Sequence, residues 1–502
     1  MNAFIRMYFS LGLLSVSSIG LVPTVVAHPM DTETRMIASD GEVGDNFGRS
    51  VRISGNVAIV GANDSESFIE NIDDDYGSAY LIDLTTGVEL MNLTPSDREP
   101  LDRFSFSVDI SGNTAIVGSR RGDIDSSGSS DPGAAYLFDI TSGMETILTP
   151  SDGAPGDDFG MNVAIDGHTA IVGSYRNDAN GHNTGAAYLY DALTGLEIQR
   201  LEPDDGFFGD EFGRSVTLDG NIALVGAIND DDHGSGSGSA YLFDVSTGQQ
   251  IRKLTASNGA AGDLFGVSSA ISGNIAIIGS RHGDGTMTNS GVAYLFDITT
   301  GSEIAILKAS DGMANDEFGY SVGISGNTAV VGARKNDGDG VLDYGAVYLF
   351  DVSTGFEIAR LSASDGEGIG GGPPGIYHFG DEVLIVGSTV VVGTHHANFS
   401  GGHSGAVYFY DISPDSGDFE FDSDKDGRDF LRWQQGFGIN HDLDDLAEWE
   451  ANYGSVPGPI TTVPEPASSL LLLMGLYTWS IQCKRGAVAD SGSAPQSRRI
   501  RS

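Results

Sequence analysis

The feature that most limits what this chain can become is one run of residues that recurs seven times. In its fourth copy, Phe212 to Leu254, it reads F-G-R-S-V-T-L-D-G-N-I-A-L-V-G, then an acidic loop, then S-A-Y-L-F-D-V-S-T-G-Q-Q-I-R-K-L. Its first residue falls at Phe47, Phe104, Phe159, Phe212, Phe265, Phe318 and Phe379, a spacing of 53 to 61 residues. Two offsets never vary. A Gly follows each Phe by 14 positions (Gly61, Gly118, Gly173, Gly226, Gly279, Gly332, Gly393). An Asp follows each A-Y or V-Y tyrosine by three, from Tyr80 and Asp83 to Tyr408 and Asp411. A fixed long period means one supersecondary unit repeated, each copy burying its face on the next.

Each copy holds four β-type runs and almost nothing that reads as helix. In the fourth they are Gly213–Leu218, Asn221–Val225, Ala240–Val245 and Gln250–Leu254. Val, Ile, Leu, Tyr and Phe fill them, and Gly, Asp, Asn and Ser bound them. Asp219-Gly220-Asn221 is tight-hairpin chemistry, because Gly and Asn tolerate positive φ. Four antiparallel strands per unit predict an all-β chain folded as a seven-bladed β-propeller of four-stranded blades. The ends predict closure. The seventh copy stops after Tyr408–Asp411 without a fourth strand, and Thr32–Gly41 (T-E-T-R-M-I-A-S-D-G) matches Glu357–Gly366 (E-I-A-R-L-S-A-S-D-G). Thr32–Ala38 is therefore expected as the outer strand of the last blade, covering edges an open array would expose.

The F-G-x-S-V and V-G-A/S elements resemble FG-GAP repeats, the units of the integrin α-subunit propeller and of many bacterial surface proteins. The resemblance runs from about Thr32 to Asp411. Ser105 departs from it after Phe104, and so does the seventh copy, Phe379-Gly380-Asp381-Glu382-Val383.

Twenty-six basic against 70 acidic residues give a net charge of −44, which disfavours nucleic acid and anionic membranes and favours cations or cationic partners. Residues 1–27 carry Arg6, then an apolar run ending Val25-Val26-Ala27, the pattern of a secretory signal peptide; a retained anchor is the competing reading. Cys483 is the only cysteine, so no disulfide forms within the chain.

If the first strand of each blade is innermost, the loops joining strands two and three share a face with the linkers between blades. Those loops vary in length and are polar, so that face is the expected binding face. In integrins some such loops hold calcium through a D-x-[DN]-x-D-G-x-x-D pattern. The resemblance assigns Asp337, Asp339 and Asp343 to a sixth-copy calcium loop, although Lys335 stands at the first ligand position. Solvated acidic loops are the alternative. His182, His233, His282, His395, His396 and His403 read as surface histidines without ligand spacing.

After the propeller (28–413) the composition changes. Asp418, Glu420, Asp422, Asp424, Asp426 and Asp429 place oxygen ligands at positions 1, 3, 5, 7, 9 and 12 of a calcium loop. With the echo D-F-L-R-W and D-L-A-E-W, residues 414–456 resemble a dockerin type I module with small helices, an acidic linker being the competing reading. Residues 457–485 hold Val463-Pro464-Glu465-Pro466, the apolar run Ala467–Ile481 and Lys484-Arg485. That segment resembles the PEP-CTERM sorting signal, which implies transient membrane anchoring and processing by a membrane sorting enzyme. Residues 486–502 form a basic tail longer than that family's usual short end.

No Gly-x-Ser-x-Gly elbow on a strand-to-helix turn, no paired Cys ligands and no phosphate-cradling Gly loop opening a helix occur. The expectation is a non-catalytic, exported surface or matrix protein that binds protein or exopolysaccharide partners through its loops, with calcium as its cofactor. A polysaccharide-active enzyme with its site at the central channel is the second reading, and His378, His395 and His396 are the nearest approach to a cluster confined to one blade.

Overall fold

Residues 33–412 are described by a computed structural model, apart from 42–43, 64–76, 98–101, 121–131, 179, 338–342, 365–377 and 398–403. Seven four-stranded antiparallel sheets follow one another, and each repeat makes one of them. Blade four runs Phe212–Asp219, Ile222–Ala227, Ser239–Asp244 and Gln249–Leu254, from the inner to the outer strand. Its two middle strands are buried along nearly their whole length, because neighbouring blades cover both faces. They therefore read as unbroken apolar runs. The outer strand alternates exposed and covered residues, since only one face has a neighbour.

The two invariant offsets now have causes. A Cβ on the +14 glycine would meet the backbone oxygen of the next blade: Gly226 stands 2.1 Å from the Gly266 oxygen by that measure, and Gly279 2.0 Å from that of Gly319. The contact goes round the ring and ends with Gly393 against Gly48, 2.2 Å. The repeating Asp caps the turn behind its strand. The Asp83 carboxylate accepts from the amides of Thr85 and Thr86, both at 2.9 Å, and these bonds hold its pKa below the usual carboxylate range.

The tyrosine serves two contacts. Its ring lies edge-on to the first Phe of its own blade, as in Phe212–Tyr241 at 5.6 Å and Phe318–Tyr348 at 5.6 Å. A buried phenol also needs a hydrogen-bond partner. Tyr136, Tyr188 and Tyr348 donate to Asp97, Asp152 and Asp311, which follow a serine in the linkers entering their blades, at 3.1, 2.6 and 2.6 Å. The serine of the same linker reaches a Glu on the next outer strand: Ser96 to Glu145, Ser151 to Glu197, Ser257 to Glu303 and Ser310 to Glu357, at 2.7–2.9 Å. Blade three's linker has Asp204 there, whose amide donates to Gln250 at 2.9 Å.

Closure follows the expected route over a shorter strand, Thr34–Met36, which pairs with Ala406–Asp411 in the register Arg35 opposite Tyr408. The order of blade seven is thus Glu382–Val386, Thr389–Thr394, Ala406–Asp411, Thr34–Met36. Ser364 donates to Glu33 at 2.8 Å and Ser39 to Glu89 at 2.7 Å, which completes the circle of linker contacts. Phe47, Val51, Tyr80, Val391 and Val407 form one buried cluster between blades seven and one. The expected signal segment, the 414–456 module, the 457–485 sorting segment and the tail lie outside the described residues. Among the described residues no helix is long and apolar enough to cross a membrane.

Candidate functional site

The inner strand starts with a break in its ladder. Phe212 pairs with Ala227, yet the next pairs are Ser215 with Gly226, so Gly213 and Arg214 bulge out. Bulges re-aim side chains, and here residues from the bulge line the mouth of the central channel, among them Arg49, Phe106, Arg214, Tyr320 and Asp381. Just before each Phe stands a residue in the left-handed region: Asn46, Arg103, Asp158, Glu211, Leu264, Glu317 and His378, with φ from 51 to 58°. Seven non-glycine residues in that conformation store strain around one rim. Ser105 takes φ 67° in place of the usual Gly, and its buried Oγ accepts from the amide of Ala62 at 3.0 Å, which offsets part of that strain.

What gathers at this mouth is positive. The guanidiniums of Arg49 and Arg120 share the ring of Phe106, at 4.2 and 4.4 Å. Arg176 and Arg214 share Tyr175 at 5.1 and 5.7 Å, and Arg334 and Arg281 share Tyr320 at 3.7 and 5.8 Å. Some of this charge is answered. Arg176 meets Asp158 at 3.2 Å, Arg334 and Lys335 meet Glu317 at 2.6 Å each, and Arg334 is 3.5 Å from Asp381. Burial pushes Arg120 down to about 10, with Arg103 and Arg49 adding to the fall. Burial likewise lowers Arg214. Deeper in the channel Arg52 pairs with Glu382, and burial raises Asp109 to about 6 against the pull of Arg52.

Blade seven corrects the surface reading of its histidines. His395 is only 8 % exposed, and its Nδ1 lies 3.0 Å from Asp381 Oδ2. Its ring is 4.1 Å from that of His396, which is 4.8 Å from that of His378. The cause is the seventh copy's own departure: Asp381 buries a carboxylate where other blades have a neutral residue or an arginine (Arg49, Arg214), and imidazoles gather around it. His182 and His233 are exposed as expected, and His403 lies outside the described residues. Ligand atoms of His378, Asp381 and His396 lie within 4.8 Å of one another. The Arg334 guanidinium stands 3.5 Å from the same carboxylate, while Asp381 Oδ2, His378 Nδ1 and His395 Nδ1 are buried without a well-formed hydrogen bond.

Burial lowers both His378 and His395 below their ordinary 6.5. The unfolded chain then binds more protons below pH 6.5, so these groups cost stability as pH falls. Asp210 and Asp109, raised by burial to about 6, act in the opposite sense, so the comparison needed is between variants. His395→Gln is expected to lose less Tm than wild type between pH 7 and 5 in thermal melts. Parallel curves would refute the assignment.

The acidic loops have a structural use. Asp178, Asp231 and Asp284 accept from the amides of Asn183, Gly236 and Asn289 at 2.6–2.9 Å. Asp337 does the same for Asp343 at 3.1 Å, while Lys335 turns away to Glu317. Asp339 and the set Asp418, Glu420, Asp422, Asp424, Asp426 and Asp429 lie outside the described residues. Sequence reasoning overlooked the arginines, although their signal was present: Arg120, Arg281 and Arg334 share one repeat position, and Arg49 and Arg214 another.

Ring, bulged inner strands and loop-side mouth define a closed β-propeller built from repeats that straddle its blades. The FG-GAP repeat family is matched over residues 31–82, 88–138, 143–190, 196–243, 249–296 and 302–350, and the chain belongs to that family. Each matched segment holds the outer strand of one blade and the first three strands of the next. The first three strands of the seventh blade, where Asp381 and Glu382 break the motif, lie beyond the last match. No curated protein matches the chain.

Proposed function

We propose that this is an exported, non-catalytic protein of the cell surface or extracellular matrix that holds a protein or glycan partner on the loop face of its propeller. The observation that carries this reading is the contrast between the two faces. One bears only tight turns. The other carries the long loops and the channel mouth, where the adjacent Phe207 and Phe208 are 73 % and 64 % exposed; single exposed apolar residues also occur in the turns, as at Leu193 and Phe356. Exposed apolar groups gathered beside polar loops are the mark of an interaction surface. FG-GAP repeat proteins are often extracellular or at the cell surface, which agrees with the signal-like start. In this reading the 414–456 segment holds calcium through Asp418–Asp429, and the 457–485 segment anchors the chain until a sorting enzyme processes it.

The test is a glycan and protein array probed with the full-length protein, in calcium and in chelator. Binding is expected on discrete spots and should weaken about tenfold or more in the double variant Phe207→Ser, Phe208→Ser, whose melting temperature should be unchanged because both rings are exposed. Absence of any ligand, or equal binding by the variant, would refute the loop-face reading. Equal binding in chelator would remove calcium from it.

A further inference from the structure

We infer that the channel mouth binds one compact oxyanion, a sulfate or carboxylate group carried at a terminus or branch of the partner. The inference rests on the loop face being the binding face, and it names the chemistry received there.

The chain carries 70 acidic residues against 26 basic ones. Yet among the described residues Arg49, Arg120, Arg214 and Arg281 have no carboxylate within salt-bridge distance, whereas their neighbours Arg176, Arg334 and Lys335 do. Two of them also leave donors open. The Nε–H groups of Arg120 and Arg281 are buried and unpartnered, and Arg120 offers a terminal nitrogen only to the Met161 sulfur, at 3.5 Å. Burying unpaired cations together is costly. Sharing one aromatic ring between two guanidiniums offsets only part of that cost, because a cation–π contact is weaker than a charge-paired hydrogen bond. A ligand with several acceptor oxygens would satisfy the open donors and the like charges at once, in the forked geometry that guanidiniums favour.

Size and surroundings narrow the class. The space between Arg49, Phe106, Arg214 and Tyr320 is about 100 Å³, room for one small group. Arg52, Asp381 and Glu382 also line it, with Glu382 held by Arg52 and Asp381 beside Arg334. Arg120 and Arg281 stand over the Phe106 and Tyr320 rings at the edge of this space. Outside it, Asp158, Glu211, Glu317 and the loop aspartates ring the mouth, and the whole chain is strongly negative. An extended polyanion lying across this face would meet repulsion everywhere except at its centre. A single oxyanion entering from above would not, since low-dielectric walls focus the field at the mouth. Glu211 lies closest in charge to Arg214, and burial raises its pKa, which softens its competition with an incoming anion.

The experiment is calorimetric titration of the full-length protein with inorganic sulfate at low ionic strength, beside melts with and without sulfate. Sulfate should bind and raise Tm. Arg214→Gln and Arg281→Gln should weaken binding about tenfold or more and abolish that rise, while raising Tm in the absence of sulfate because a crowded charge is gone. Arg252→Gln, on an outer strand with its guanidinium on the Thr299 carbonyl, should leave sulfate binding unchanged. Arg49→Gln provides a second site should Arg214→Gln fail to fold. A sulfated and a uronic-acid oligosaccharide tell which oxyanion the partner carries. No sulfate binding, or equal binding by the arginine variants, overturns the inference; so does a long polyglutamate that binds more than about a hundredfold tighter than sulfate. If sulfate fails while array ligands still depend on Phe207 and Phe208, only the oxyanion is refuted. If sulfate binds at the arginines and the array stays blank, only the partner reading falls.

Discussion

A chain that begins at Gly41 is expected to melt roughly 6 °C or more below the full-length protein. It lacks the strand Thr34–Met36 and with it the ladder on Ala406–Asp411. It also leaves partners behind. Ser364 and Tyr410 lose Glu33, Glu89 loses Ser39, and the half-buried Tyr80 hydroxyl loses Asp40 at 3.0 Å. Hydrogen bonds to charged groups contribute about 1.5–3 kcal/mol each, so the total is on the order of 5 kcal/mol even after some are replaced by water. Differential scanning calorimetry of the two chains makes the comparison. An unchanged transition would mean that the seventh blade holds without its outer strand, and the closure argument would fall.

The second large effect concerns the +14 glycine. Gly279→Ala should cost roughly 3 kcal/mol, at the upper end for overpacking, because its Cβ would lie 2.0 Å from the Gly319 oxygen and neither backbone can withdraw without parting blades five and six. Gly273→Ala is the matched control. It has φ +60° and nothing within 4 Å of the added carbon, so it should cost only about 1 kcal/mol from the left-handed conformation. Denaturant unfolding of both variants gives the ratio. Similar losses would show that blade-to-blade contact does not demand glycine at that position.

The fold was legible because its causes repeat. Gly61 to Gly393, the tyrosine–aspartate offset and the T-G turns each answer a local demand that recurs in every blade, so spacing alone exposed them. Ring closure was legible for the same reason, since Thr32–Gly41 repeats the outer-strand text of Glu357–Gly366. The site was far less so. Arg49, Arg120, Arg214 and Arg281 come from four blades, and nothing local marks them as neighbours. Each looks like one more solvated charge until the bulges and strand ends bring them to one mouth. The histidines show the same limit. His395 reads as a loop residue, and only the buried Asp381 of its own blade explains why it is inside.

The two partners of the closing contact, Arg35 and Tyr408, are made at opposite ends of the synthesis of the domain. A chain threaded through a membrane amino end first would present Thr34–Met36 long before there is a sheet to receive it. Until residue 411 emerges, that strand has no correct neighbour, while the first six blades can already stack in sequence. The last step is therefore a long-range capture, slow by comparison with blade formation. Any unfinished molecule displays two bare rims, the outer edge of the incomplete seventh sheet and the uncovered flank of the first.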